Sequence, residues 1–421
     1  MPPFRSRAMR RLRSVAVDTT ALRDSRDFRL LAIGGVISGV GTQVTLVALP
    51  YQVFVLTQSS FLVGLIGLVE LVPLVVVALL GGTLADRMDR RRLLFASQLV
   101  QALTSLGLVI GAAAGSPPVA ILFVIAAIAS GASAVDRPTR AAMVPALVGP
   151  ERLRSAISFN YGLWQVAGVV GPALGGIVIA TAGLTWAYGI DVATFVVMMA
   201  AVRAIAPHPQ PRAEQGESFL ASLRAGLRFA SRSGELMGSF AIDILAMTFG
   251  MPRALFPALA LTVYNAGPEG VGILYAALSA GAMVAAFSTG WIVHVRRLGR
   301  IVVFAVAVWA VAIVFLGLTT SIWVAAACLL VAGSADSVSA VCRSTILLTA
   351  TPDEMRGRMS SIFTLVVAGG PRLGDVESGT VAGLAGTRVS VVSGGIVCLL
   401  GILPVVAVFP AFWRYGEEAQ A

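Results

Sequence analysis

Twelve largely apolar runs, each of 18 residues or more, divide this chain of 421 residues. A run of that length forms a helix that crosses a ~30 Å hydrocarbon layer at 1.5 Å per residue. Inside lipid every backbone polar group has to be satisfied within helices or a closed barrel, so the runs leave few alternatives. They lie at about 28–53, 61–84, 92–114, 118–140, 155–181, 184–204, 234–263, 268–291, 299–319, 321–348, 358–385 and 388–412. The expectation is an all-α membrane protein with twelve transmembrane helices. Composition agrees, with 57% hydrophobic and 12% charged residues against the roughly one-quarter charged of a soluble domain.

A formal charge of +10 raises the question of a nucleic-acid partner. All 31 basic residues are arginine, and every one except Arg253, Arg372 and Arg388 falls in or beside a loop on the side of the N-terminus. That is the positive-inside pattern repeated along the chain. It predicts both termini in the cytoplasm, a lipid bilayer as the partner surface, and no nucleic-acid role. Residues 1–27 then form a basic cytoplasmic arm, which can be a solvated tail or lie on anionic lipid. It is not a cleavable signal, because the apolar run after it is too long. Residues 413–421 form a cytoplasmic tail.

The longest internal loop, 205–233, contains PHPQPRAEQGES and divides the helices six and six. The halves echo each other. GPALGG at Gly171 to Gly176 returns as GPRLGD at Gly370 to Asp375, and Arg140 and Glu151 return as Arg343 and Glu354. The chain therefore reads as two six-helix bundles, 28–204 and 234–412, and repeats of this kind place a binding site between halves near the membrane midplane.

The loop after the second run reads GGTLADRMDRRRLL. A tight turn, an acid at a helix end and arginines at the headgroups can lock two helices in one state and release them in another. This stretch resembles the signature of the major facilitator superfamily, G-x-L-x-D-R-x-G-R-R, through Gly82, Leu84, Asp86, Arg87, Arg90 and Arg91. Asp89 stands where that family has glycine. Asp136, Arg137 and Arg140, at the inner end of the fourth helix, are expected to join this inner gate. Gly171, Pro172, Gly175 and Gly176 resemble the superfamily's antiporter motif G-P-x-x-G-G, which implies export; Ser158 and Ala167 replace glycines of the longer motif. The arginine motif usual in the fourth helix is not found. The segments Phe256 to Gly290 and Thr349 to Phe363 are similar to the enterobactin-exporter branch, whose neighbours export drugs on the same framework. The resemblance implies alternating access of two bundles about a central site.

A charge at the centre of a span costs on the order of 2.5 to 3.5 kcal/mol, so it is usually paired or functional. Glu70 and Asp243 each lie about a third of the way into a span and are candidates for a carboxylate that exchanges a proton or makes a structural bond. Arg253 lies further along the seventh. Arg372, Asp375 and Glu377 cluster in the eleventh, where Arg372 and Asp375 can pair at i,i+3 or face a cavity. An anionic siderophore suits Arg253 and Arg372, whereas a cationic drug suits Glu70, Asp243 and Asp375. Asp191 and Asp336 are left without a role.

Other classes fail. Two histidines and three cysteines, the latter within predicted helices, assemble neither a metal site nor a nucleophilic triad. A chain without lysine has no P-loop for ATP. The expectation is a secondary transporter, not an enzyme, without cofactor or metal. It exports a small molecule in exchange for protons as a monomer in the plasma or inner membrane.

Overall fold

The computed structural model describes residues 20–85, 88–206, 219–288, 290, 292 and 295–416. Twelve long helical spans follow one another: α1 (Arg26–Thr57), α2 (Ser60–Ala85), α3 (Arg90–Ala113), α4 (Val119–Val148), α5 (Leu153–Ala182), α6 (Leu184–Ala204), α7 (Gly234–Phe249, continued to Val263), α8 (Gly267–Ser288), α9 (Leu298–Leu318), α10 (Ile322–Thr349), α11 (Arg356–Ala385) and α12 (Thr387–Val408). Eleven of them are apolar enough to cross a membrane by length and hydropathy alone. The twelfth, α11, has the length, but Arg372, Asp375 and Glu377 dilute its hydropathy.

Local chemistry sets the ends. Ser25 caps α1 by accepting the Phe28 N–H at 3.1 Å, and Ser233 caps α7 by accepting that of Leu236 at 3.3 Å. Asp89, the departure from the superfamily signature, caps α3 by accepting the Arg91 N–H at 2.8 Å. Gly183 and Gly386 each turn the chain between two helices in a single residue, at φ 87° and 94°, a conformation that a side chain would strain.

Three elements differ from the sequence expectation. First, α4 runs on to Val148 rather than ending near 140, because Met143, Val144 and Leu147 continue its apolar face and pack on Phe28 and Leu31. Second, residues 205–233 are not loop throughout: Phe219–Ala230 is a helix whose Gly226 lies against Ile362 and Arg358 of α11. Third, α7 is broken. Its first helix stops at Phe249, a 3₁₀ turn covers Arg253–Leu255, and a π turn covers Leu259–Val263. Gly250 and Pro252 supply the break, since one is a poor helix former and the other lacks an N–H. Trp309 Nε1 donates to the freed Gly250 carbonyl at 2.8 Å.

The two bundles meet at the end of the molecule away from the chain termini. There α2 packs on α11 and α5 on α8, through glycines. A Cβ on Gly64 would collide with the Asp375 carbonyl, and one on Gly176 would lie 2.9 Å from the Gly272 Cα. Such small-residue stripes let helix backbones approach in a membrane, where apolar burial gives no drive between helices.

Candidate functional site

Between the bundles lies a cavity of ≈ 180 Å³ at mid-depth of the spans. Its charged lining comes from five helices: Glu70 of α2, Arg137 of α4, Asp191 of α6, Arg253 of α7, and Arg372 and Asp375 of α11. Hydroxyl, amide and phenol groups, among them those of Thr42, Thr45, Gln101, Thr104, Ser105 and Tyr275, add to the polar surface. An enclosed cleft with convergent polar groups is the usual form of a small-molecule site, and this one is unusually rich in charge.

Two ion pairs organise it. Arg372 reaches Glu70 across the bundle interface at 3.4 Å and donates to the Ala368 carbonyl at 2.8 Å. Arg253 pairs with Asp375 at 2.9 Å, and the other Asp375 oxygen accepts the Ala254 N–H at 3.1 Å. The break in α7 is what makes the second bond available, because it exposes a backbone donor that Asp375 fills. The i,i+3 pairing of Arg372 with Asp375 is thus replaced by two separate pairs to other helices, one of which joins the bundles. Tyr275 donates to the Arg253 carbonyl at 3.3 Å and stacks edge-on against Phe256 at 4.9 Å, which fixes the arginine's backbone. Ser130 of α4 donates to the Glu70 carbonyl at 2.8 Å.

Asp243 does not join the cavity. It is 1% exposed and pairs with Arg343 of α10 at 2.9 Å, with Asp336 3.7 Å from the same guanidinium. The helix face it occupies looks into the bundle, towards α10, and not into the cavity. Glu377 is half-buried and outside the cavity lining.

Asp136 and Arg140 pair at 2.9 Å, buried among α1, α3 and α4. Gln98 also donates to Asp136, at 2.6 Å, and Arg140 lies over Gly35 of α1. Arg137 turns the other way, into the cavity and over the Trp164 ring at 5.6 Å. From the signature loop, Arg90 donates to the Ala142 carbonyl of α4 at 2.8 Å, and Arg91 donates to Val202 and Arg203 at the end of α6. These cations meet the carbonyls and the negative end of a helix dipole. Gly82 lies in the last turn of α2, while Asp86 and Arg87 lie outside the described residues.

The glycines of GPALGG divide between two neighbours. Gly171 and Gly175 face Gln43, Val44 and Val47 of α1, and Gly176 faces α8, where Gly272 approaches the Pro172 carbonyl.

Asp191 is the cavity acid that the sequence left unassigned. It is 2% exposed and accepts from Thr45 at 2.6 Å and Ser105 at 2.7 Å. The signal was available, since it is the sole acid in its span. Its hydroxyl partners lie on other helices, beyond the reach of local pattern.

The sequence model of the transmembrane secretion effector family matches residues 19–413. The chain is 29% identical over 393 residues to the enterobactin exporter EntS of Shigella boydii, covering 92% of this chain and 93% of that protein. The EntS protein of Citrobacter koseri matches to the same extent. Among solved structures, the nucleoside transporter NupG superposes with a TM-score of 0.74 at 14% identity, covering 91% of this chain and all of that one. A bacterial homologue of the iron transporter ferroportin gives 0.70 at 15% identity, over 92% and 98%. These two likenesses establish the fold.

Proposed function

The chain belongs to the transmembrane secretion effector family of the major facilitator superfamily, and we propose that it exports a small, siderophore-like amphipathic molecule in exchange for protons. Two bundles, 28–204 and 234–412, move about the cavity by alternating access, with 205–233 as their linker. The arginine distribution supports cytoplasmic termini in an inner or plasma membrane; that the protein acts as a monomer is part of the same proposal.

One observation carries this reading: the Glu70–Arg372 pair crosses between the bundles at the edge of the cavity. An anionic solute competes with Glu70 for Arg372, and a proton on Glu70 releases the same arginine. Either event loosens a bond between the moving parts, so solute and proton bias which state is stable. Three cavity arginines, Arg137, Arg253 and Arg372, support a solute with acidic groups. Asp375 keeps Arg253 in place. The glycines at 171, 175 and 176 act as the sliding surface of α5 on α1 and α8. Arg90, Arg91, Asp136 and Arg140 hold the inner ends of the first bundle as a gate, to which the signature residues Asp86 and Arg87 are assigned by the motif alone.

The test is flux in proteoliposomes with an imposed pH gradient, against a panel of a catecholate siderophore and several cationic drugs. The expected result is gradient-driven movement of the siderophore, reduced at least tenfold in Glu70→Gln. Siderophore movement indifferent to the gradient overturns proton coupling. Movement of the drugs alone replaces the substrate class with drug export, the reading that the cavity acid Asp191 favours.

A further inference from the structure

Every cavity acid except Asp191 faces an arginine. Glu70 meets Arg372 and Asp375 meets Arg253, so a proton placed on either removes half of an ion pair. Asp191 is held differently. Thr45 of α1 and Ser105 of α3 both donate to its Oδ2, whereas Oδ1 is buried, accepts no hydrogen bond and lies beside Gly41. A Cβ at Gly41 would collide with the Thr194 hydroxyl and come within 2.7 Å of that oxygen.

The charges on α6 and on the helices packed against it are all remote from Asp191. On α1 they are Arg26, Asp27 and Arg29, on α3 Arg90, Arg91 and Arg92, on α5 Arg154, and on α6 itself Arg203, each at the helix end nearest the chain termini. The phenols on these helices are Tyr51, Tyr161 and Tyr188, and Tyr188 donates to Gln52 at 2.7 Å. Across the cavity stand Glu70 and Asp375 with their arginines, and Arg137 over Trp164.

We propose that Asp191 is a proton-binding site of the transporter, separate from the Glu70–Arg372 pair and served by the cavity; this rests on the proton-coupled reading above. The geometry suits both states. As a carboxylate, Asp191 has two short hydroxyl donors in place of a cation. When a proton binds Oδ1, Oδ2 becomes the carbonyl oxygen and keeps both donors, so no existing bond is lost. The neutral form also escapes the cost of an unpaired charge within a span.

Infrared difference spectroscopy of the full-length protein in liposomes, titrated with pH, reads the carbonyl stretch of protonated carboxyl groups. The expected wild-type spectrum has a band that Asp191→Asn removes and Glu70→Gln keeps. In the flux assay, Asp191→Asn loses at least tenfold of the response to the pH gradient. A wild type that responds to the gradient, with an Asp191→Asn variant that responds equally or keeps the band, overturns this proposal alone. A wild type indifferent to the gradient overturns the proton-coupled reading, and this proposal with it. Should Asp191→Asn fail to fold, Thr45→Val decides: loss of one donor on Oδ2 must shift the band, and an unmoved band overturns the assignment.

Discussion

The two halves of the molecule place different side chains at matching points of a common frame. Counted from the capping serines Ser25 and Ser233, Thr45 of α1 and Arg253 of α7 occupy the same position, and each reaches an acid on another helix. In the first half the acid is Asp191 and the donors are hydroxyls; in the second it is Asp375 and the donor is a guanidinium. By the same count Gly35 matches Asp243. Arg140 therefore lies over bare backbone and turns to Asp136 on its own helix, while its counterpart Arg343 pairs across to α7. The repeat conserves where helices touch and varies what they carry. The second half spends its cavity acid on an ion pair, and the first keeps one without a cation.

The largest expected effect breaks that comparison at the buried arginines. Asp243 has no hydroxyl or amide donor among the described residues, so Arg343→Ala leaves a bare charge in the bundle. The expected loss is about 3–5 kcal/mol, the usual cost of removing one partner of a buried pair. Arg140→Ala should cost less, because Asp136 keeps the Gln98 amide at 2.6 Å and the Ser97 hydroxyl at 3.4 Å. Thermal unfolding of both variants in detergent checks the ordering. Equal losses would mean that the amide contributes nothing. Removing both charges, in Arg343→Ala with Asp243→Ala, should recover part of the loss.

What the sequence revealed and what it hid divide along the same line. Helix number and the two-bundle frame were legible because hydropathy and the repeat of GPALGG as GPRLGD are local patterns. The charges of α11 were placed in the right region, since a charge in a span is conspicuous. Their partners were not legible. Arg372 and Asp375 look paired at i,i+3, and only the approach of α2 and the broken turn of α7 offer each a better partner. Asp243 and Glu70 have equal depth along their helices, and tertiary packing alone decides that one faces Arg343 and the other the cavity. Asp89 departs from the signature's glycine, and only its bond to the Arg91 N–H shows it to be a cap.

A smaller effect sharpens the comparison at the repeated motif. Gly175 and Gly374 are equivalent in sequence, yet a Cβ on Gly175 would sit a tight 3.3 Å from the Val44 Cα, whereas one on Gly374 would collide outright with the Met247 carbonyl. Backbone cannot move aside as a side chain can. Gly374→Ala should therefore destabilise by about 1–3 kcal/mol through overpacking. Gly175→Ala should cost less, because α1 has only to give slightly and alanine regains up to ~1 kcal/mol of helix propensity. Melting temperatures of the two single variants are the measurement, and equal shifts would show that α11 sits no closer to α7 than α5 does to α1.

The smallest expected effect concerns the signature loop. Arg91 donates to the Val202 and Arg203 carbonyls at the end of α6, so Arg91→Gln gives up charge-assisted bonds at an exposed helix end. At such a site the loss should be about 1 kcal/mol or less, since exposed charges are screened and the freed carbonyls find water. Arg388 makes the matching cap on the other half and the other face, donating to Gly317, Leu318 and Thr319 at the end of α9. If both arginines merely close helix ends, Arg91→Gln and Arg388→Gln should lower the melting temperature alike and leave flux alike. A fall in flux confined to Arg91→Gln, at equal stability, would separate a gate from a cap, because only a gate residue makes bonds that differ between the two transport states.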